Sequence, residues 1–316
     1  MKILVTGAAG FIGSHLCERL LEISEIEVIG IDGFINPSLN QTKLRNLRLL
    51  LTNPRFQFHQ VDLRQVDLKK LLEGVQVVYH LAAMPGVRSS WGTDFQLYVD
   101  HNIVATQLLL EAVRERPLTK FIYISTSSVY GEKVGKVSEA SMPTPLSPYG
   151  VSKLTGEYLC KVYQVSYGIP IVILRYFTLF GPRQRSDMAF HRFIMGILQR
   201  ASIQIYGNGL QTRDFTFIKD CVDATVAVLD AEGVIGEIIN IGGRERASIL
   251  EVISILEYLL DNKATLEFMD RLKGDPLDTW ADISKAQTLL NYNPVCSLKI
   301  GLEQQIIDIR SNNMSL

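Results

Sequence analysis

One turn limits what this chain can fold into more than any other feature of it. A short β-branched strand, Lys2–Thr6, runs directly into Thr6-Gly7-Ala8-Ala9-Gly10-Phe11-Ile12-Gly13, and an apolar helical pattern follows. Gly7 can turn where φ is positive, Gly10 lets the backbone approach a pyrophosphate, and Gly13 lets helix and strand pack closely. The helix N-terminus so formed faces the cradled group and favours negative charge. Asp32 closes the second strand, where a carboxylate accepts hydrogen bonds from an adenosine ribose and repels a 2′-phosphate. The Leu81-Ala82-Ala83 segment ends the fourth strand with small side chains, which leaves room beside the turn. A plain tight turn with a capping Asp explains the residue types, but not their place on the first two strands of a βαβ unit. The pattern predicts bound NAD rather than NADP. Asp62, just past the third strand, is placed to meet the adenine, though alone it reads equally as a turn residue.

The first 176 residues alternate short apolar runs (2–6, 27–31, 56–60, 75–81, 120–125, 170–174) with helical patterns (11–21, 68–72, 95–114, 149–167). The runs are continuous rather than alternating, as strands buried on both faces are. This rhythm predicts an α/β fold, a doubly wound parallel sheet of Rossmann type with its ligand site at the carboxyl ends of the strands. After Tyr176 the elements shorten around Gly181-Pro182 and Gly207-Asn208-Gly209. The expected division is a dinucleotide-binding domain over 1–176, with a segment near 218–243 returning to it. A smaller C-terminal α/β substrate domain spans 177–316.

Composition excludes several other classes. The 316 residues carry 32 Lys+Arg against 33 Asp+Glu, which gives no electrostatic reason to expect nucleic acid or an anionic membrane as partner. No uninterrupted apolar run approaches the ~20 residues needed to span a bilayer. The four cysteines (Cys17, Cys160, Cys221, Cys296) lie far apart without metal-type spacing. They read as buried thiols of a cytoplasmic protein, with no metal site expected and no signal peptide visible.

A second motif carries reactivity. In Ser147-Pro148-Tyr149-Gly150-Val151-Ser152-Lys153, Ser147 is a good N-cap and Pro148 a good first helical residue. Tyr149 and Lys153 then share a helix face one turn apart. A phenol titrates near pH ~10 and is a poor base at neutrality. The lysine ammonium, an oxidised nicotinamide and the helix N-terminus would all favour the phenolate. Ile124-Ser125-Thr126-Ser127-Ser128-Val129-Tyr130-Gly131 puts successive hydroxyls at a strand's carboxyl end, in the expected crevice. At the other end of the chain, Arg185 and Arg213 suit a diphosphate, and Phe190 and Tyr206 suit the two faces of a planar base.

The Gly-x-x-Gly-x-x-Gly spacing resembles the extended branch of the short-chain dehydrogenase/reductase superfamily, over essentially the whole chain. Thr126 matches the Ser/Thr of that family's Ser/Thr-Tyr-Lys triad, and Tyr149 and Lys153 match the rest. The resemblance also implies that Leu63, Asn102 and Phe177 join Gly7, Gly10, Phe11, Ile12, Gly13, Asp32, Asp62, Leu81, Ala82 and Ala83 around the cofactor. Ser127 and Ser128 stand where the 4,6-dehydratases of this branch carry an Asp-Glu pair, which disfavours dehydration. Residues 1–15, Pro85-Gly86-Val87-Arg88-Ser89-Ser90-Trp91-Gly92, Ser125-Thr126-Ser127-Ser128 and the stretch 183–193 resemble bacterial UDP-glucuronic acid 4-epimerases. That family implies that Thr126, Ser127, Ser128 and Thr178 hold the sugar carboxylate and reacting hydroxyl. It gives Arg185 the diphosphate and Asp275 the nucleotide ribose, with Arg88 near the same site. Ser186 departs from the Pro common at its place.

The implied activity is NAD-dependent 4-epimerisation between UDP-glucuronate and UDP-galacturonate through a 4-keto sugar, with a UDP-sugar as partner. A UDP-glucuronate decarboxylase, a neutral UDP-sugar 4-epimerase and, outside enzymes, an NAD-binding sensor are the alternatives. The helical patterns 95–114 and 149–167 can pair with their copies in a homodimer, or serve as ordinary core.

Overall fold

The structure is a computed structural model that describes residues 1–313. Six strands come from the first half: β1 (Lys2–Thr6), β2 (Glu27–Asp32), β3 (Phe56–Gln60), β4 (Val77–His80), β5 (Lys120–Thr126) and β6 (Ile171–Tyr176). The second half adds β7 (Thr178–Phe180), β8 (Ser202–Tyr206), β9 (Thr212–Phe217), β10 (Ile238–Ile241), β11 (Glu245–Ser248) and β12 (Thr265–Met269). A seven-stranded sheet runs β10-β6-β5-β4-β1-β2-β3, and every pairing in it is parallel. The order reverses between β1 and β4, where an open α/β sheet has its ligand crevice. The glycine turn and the Leu81–Ala83 segment both leave the sheet at that point.

Alternate residues of each central strand enter different cores, as a two-residue period requires. Ile3, Val5, Val77, Tyr79, Ile122 and Ile124 join one cluster, whereas Leu4, Val78, Phe121 and Tyr123 join the other. The first cluster is covered by α1 (Phe11–Leu21) and by helices of the second half. The second is covered by α2 (Ala105–Val113) and α3 (Pro148–Tyr167). Two small sheets, β11-β9-β7 and β12-β8, build the C-terminal part.

The segment expected to return, near 218–243, reaches the large sheet as β10, beside β6. The helix expected over 95–114 is instead three pieces. Phe95–Tyr98 and α2 flank a π-helical turn at Val99–Val104. Such turns widen a helix locally and often mark functional positions. No helix among the described residues is long and apolar enough to cross a membrane. Among those residues there is also no group of three or more His, Cys, Asp or Glu placed to hold a metal.

Candidate active site

The glycine turn is built as a close-fitting cradle. Gly7 adopts φ +73, and a Cβ there would lie 3.0 Å from the Ala82 backbone nitrogen. At Gly13 a Cβ would fall 2.1 Å from the Gly7 carbonyl oxygen, so α1 lies hard against the turn. At Gly10 that same oxygen, at 3.1 Å, is the one atom within 4 Å of an added Cβ, and the remaining side is open. Gly10 caps α1 without a side-chain acceptor, so the first-turn N–H groups face the cleft. An open glycine backbone, uncapped N–H groups and a carboxylate at the end of β2 together fit a dinucleotide's pyrophosphate and ribose.

Asp32 is buried, and its Oδ1 accepts from the Phe34 backbone N–H at 3.0 Å and from Lys43 Nζ at 2.6 Å. Lys43 carries no signal in the sequence, because it sits in a short polar helix with no motif around it. Asp62 lies in the fork of Arg64, which holds its carboxyl below the usual range against the upward push of burial. Leu63 and Phe177 are buried in the apolar clusters, Phe177 tilted against Tyr130.

Asn102 is hydrogen-bonded on three sides. Its amide donates to the Met84 carbonyl and to Ser152 Oγ and accepts from the Met84 N–H, so both of its donors are used within the protein. It braces the loop after β4, beside the cofactor cradle. A directed chain of hydrogen bonds leads to it. Thr6 Oγ1 accepts from the N–H groups of Leu81 and Ala82, so its own proton goes to His80 Nδ1 at 2.8 Å. His80 Nε2–H then donates to Thr106 Oγ1, and Thr106 donates to the Asn102 carbonyl. Burial pushes His80 down to about 3, which keeps this ring neutral. Ser152, held by Asn102, donates to the Tyr149 carbonyl at 2.8 Å. The π-helical turn therefore ties the cofactor cradle to the start of α3.

That start is capped as expected, with Gly150 N–H donating to Ser147 Oγ and Pro148 at the first helical position. A Cβ on Gly150 would meet the Ser128 carbonyl at 2.6 Å, and one on Gly156 would meet Tyr123 Oη at 2.0 Å. Only with glycine at both positions can α3 lie this close to β5. Tyr149 consequently sits near Thr126, whose hydroxyl favours its phenolate, and edge-on to Tyr98 with ring centroids 6.2 Å apart. Tyr98 was not foreseen as part of this region; it hydrogen-bonds Ser89 Oγ at 2.8 Å. Ser127 and Ser128 form a short turn in which Thr126 Oγ1 lies 3.2 Å from Ser128 Oγ.

The electrostatics differ from the sequence expectation. Burial raises the Tyr149 phenol above its ordinary value, while the Thr126 hydroxyl and the Arg185 charge pull it down. Lys153 is buried too, with Nζ 4.1 Å over the Tyr123 ring, and burial lowers it to about 8. The chain's own groups keep the phenol protonated, so a base here needs the added positive charge that an oxidised nicotinamide carries.

At the substrate end, the structure gathers Arg88, Tyr206, Arg213 and Asp275. The Arg88 guanidinium lies 4.4 Å over the Tyr206 ring, and Asp275 pairs with Arg88 at 3.5 Å and Arg213 at 3.8 Å. Arg185 stands apart, paired with Asp187 at 2.9 Å, with its charge felt at both Tyr98 and Tyr149. Thr178 opens β7. Phe190 corrects an expectation. Its ring is buried among Phe180, Phe193 and Phe215, 4.6 Å from the last, because the apolar face of its helix turns to the core. It is not available to bracket a base.

A family model described as the NAD dependent epimerase/dehydratase family matches residues 3–242. A crystal structure of UDP-glucuronic acid 4-epimerase from Bacillus cereus, in complex with UDP-glucuronic acid and NAD, superposes with a TM-score of 0.98 at 58% identity. That likeness covers 99% of this chain and 100% of the other. A Bacillus subtilis (strain 168) protein called uncharacterized UDP-glucose epimerase YtcB is 59% identical over 311 residues, 98% of each chain. A Thermodesulfobacterium geofontis (strain OPF15) UDP-glucuronate 4-epimerase is 41% identical, over 96% of this chain and 94% of its own. With the turn, the crevice and the tyrosine–lysine helix in place, the chain belongs to the NAD-dependent epimerase/dehydratase family.

Proposed function

We propose that this chain is an NAD-dependent 4-epimerase that interconverts UDP-glucuronate and UDP-galacturonate through a transient 4-keto sugar. The observation that carries the reading is the surroundings of Tyr149: the Thr126 hydroxyl and the positive charge of Arg185 both act on its phenol and favour the phenolate, with Tyr98 edge-on beside it. Ser127 and Ser128 complete that setting with hydroxyls and no carboxylate. Uncharged hydroxyls suit a sugar carboxylate and the Arg185 guanidinium suits the diphosphate, and without an acid pair the site has no group to eliminate water. The likeness to the Bacillus cereus enzyme with its UDP-glucuronic acid supports the acidic sugar.

In this reading Tyr149 Oη takes the C4 hydroxyl proton while Thr126 holds that oxygen, and Lys153, one helical turn on, supplies positive charge to the site. Bound NAD supplies hydride acceptance and return at C4, so the cycle is redox-neutral. The 4-keto sugar turns about its diphosphate linkage, and Tyr149 returns the proton to O4 after the opposite face is presented. Hydroxyls gripping the carboxylate at C5 keep it out of the geometry in which a β-keto acid loses CO₂. Residues 1–176 with 218–243 hold the dinucleotide, and the remainder of 177–316 holds the nucleotide sugar, with Arg88, Arg213 and Asp275 at its nucleotide end.

The test is incubation of the purified enzyme with UDP-glucuronate, UDP-glucose and UDP-N-acetylglucosamine, with products resolved by NMR. UDP-galacturonate alone is expected. UDP-xylose would move the assignment to decarboxylation, epimerised UDP-glucose would move it to neutral sugars, and NAD binding without any turnover would leave a sensor.

We further propose a cytoplasmic homodimer. Tyr158, Val162 and Val165 on α3 and Leu97 and Val104 beside it are exposed apolar residues on the two helical segments expected to pair. The free cysteines, of which Cys17, Cys160 and Cys221 are buried, suit a reducing compartment. Val162→Glu is expected to convert the dimer to monomer in sedimentation, and a wild-type chain monomeric at micromolar concentration would remove the dimer.

A further inference from the structure

We propose that Tyr98 is a positioning residue that serves both ends of the site. Its hydroxyl holds the loop that presents Arg88 to the nucleotide, and its ring holds the Tyr149 phenol in place for the sugar. The proposal rests on Tyr149 as the base and on Arg88 at the nucleotide end. Tyr98 closes the short helix Phe95–Tyr98, directly before the π-helical turn, and it is almost wholly buried. A buried phenol needs a partner for its oxygen, and here the loop after β4 supplies it. The Tyr98 hydroxyl lies 3.1 Å from the Pro85 carbonyl oxygen, 3.0 Å from that of Gly86 and 2.8 Å from Ser89 Oγ. A phenol has one proton, which the two carbonyls share, so the Ser89 hydroxyl donates to the Tyr98 oxygen.

The loop is thus folded around a single oxygen. Gly86 makes that fold possible, because it adopts φ +109 and a Cβ there would lie 2.8 Å from Ser89 Oγ and 3.5 Å from Tyr98 Oη. Met84, just before, is gripped at its backbone N–H and carbonyl by Asn102, four residues after Tyr98. Arg88 lies between the two held positions, Gly86 and Ser89, and its guanidinium is the one set over Tyr206 and against Asp275. A long, flexible side chain reaches both partners with little entropic loss only when its backbone is already fixed. The other end of Tyr98 faces the chemistry. Capping by Ser147 and the Ser152 hydrogen bond fix the backbone at Tyr149, but not its ring. The Tyr98 ring meets that ring edge-on, at an interplanar angle of 71°. Such a contact is attractive and directional, and it limits the tilt of a base whose placement governs the rate. Core filling alone would call for a phenylalanine.

Two substitutions in the holoenzyme separate the two duties. Tyr98→Phe strips the oxygen and keeps the ring. The inhibition constant of UDP, which carries the nucleotide and no sugar, should rise about three- to tenfold, as a lost hydrogen bond gives, with kcat within about threefold of wild type. Tyr98→Leu removes the ring as well. Its kcat should fall about a further tenfold or more, with the UDP constant within about twofold of that in Tyr98→Phe and NAD content unchanged. Loss of stability alone would lower Tm in both variants without parting kcat from UDP binding. An unchanged UDP constant in Tyr98→Phe overturns the role of the hydroxyl, and equal kcat in the two variants overturns that of the ring. If Tyr98→Leu does not fold, Tyr98→Met, with an unbranched side chain that fills irregular gaps, is judged by the same outcomes. Arg88→Ala should weaken UDP binding in the wild type and clearly less in a Tyr98→Phe background, and additive losses overturn the link to Arg88. Wild-type UDP binding in Arg88→Ala, or an active Tyr149→Phe enzyme, would instead overturn the assignment beneath the corresponding half.

Discussion

Tyr149→Phe is expected to lower kcat by about 10²–10⁴-fold, the range that a positioned acid–base group contributes. The change removes one oxygen and keeps the ring. Tyr98 therefore retains its edge contact, and the loop after β4 keeps its bracing by Asn102. NAD content, read after heat denaturation of the purified protein, should equal that of the wild type, and KM for UDP-glucuronate should change little. That combination separates loss of the proton acceptor from damage to the cleft. Burial and the aromatic neighbour both hold the phenol protonated, whereas Thr126 and Arg185 favour the phenolate. Thr126→Ser should accordingly stay close to wild type. Retained turnover in Tyr149→Phe, within about tenfold, would refute its role as base.

Gly13→Ala is expected to remove bound NAD. Its new methyl group would lie 2.1 Å from the Gly7 carbonyl oxygen, 2.9 Å from the Gly7 carbonyl carbon and 3.0 Å from Ala8 Cα. All three atoms are backbone, so no side-chain rotation relieves the clash, and α1 must withdraw from β1. Overpacking of this kind costs about 1–3 kcal/mol. In a chain of this size that lowers Tm by roughly 2–10 °C. The larger effect is on the cofactor, because the withdrawn helix carries its N–H groups away from the pyrophosphate. Cofactor content should fall at least about tenfold, which costs about 1.4 kcal/mol of binding or more. Gly168→Ala is the control. Gly168 also has a positive φ, +69, but nothing lies within 4 Å of its added Cβ. That variant should lose about 1 kcal/mol of stability and keep its NAD. Equal NAD content in the two variants would show that close packing at Gly13 does not set cofactor binding.

What could be read from the sequence follows physical range. Contacts set by neighbouring residues were readable. The strand, glycine turn and helix at 2–21 were plain, as were Ser147 and Pro148 opening α3, because the capping and backbone needs are met within a few residues. The parallel order of the large sheet also follows from its alternating rhythm. Side-chain orientation across elements was not readable. Phe190 was taken for a base-stacking ring because only its type and place in the chain were visible, and the core contacts of its helix with Phe180 and Phe215 are long-range. The bracing of the loop after β4 by Asn102 is not readable either, because the break in the 95–114 helix leaves no trace in apolar periodicity. Lys43 on Asp32 and Arg175 on Glu157 were invisible for the same reason, since each pair joins separate elements. The downward push on Lys153 depends on burial, which no motif encodes.

The seventh strand has a consequence for how the chain is made. Because Ile238–Ile241 supplies the last pairing along Ile171–Tyr176, the principal sheet stays unfinished on the ribosome until some sixty further residues have emerged. During that interval the six-stranded nascent fragment displays an uncovered, strongly apolar margin, the type of edge that recruits other chains. Cutting the gene after codon 176 to obtain a stand-alone nucleotide-binding fragment should therefore yield inclusion bodies, whereas splicing 218–243 back onto that fragment, the Ile218–Ala227 helix that covers one sheet face included, should restore solubility.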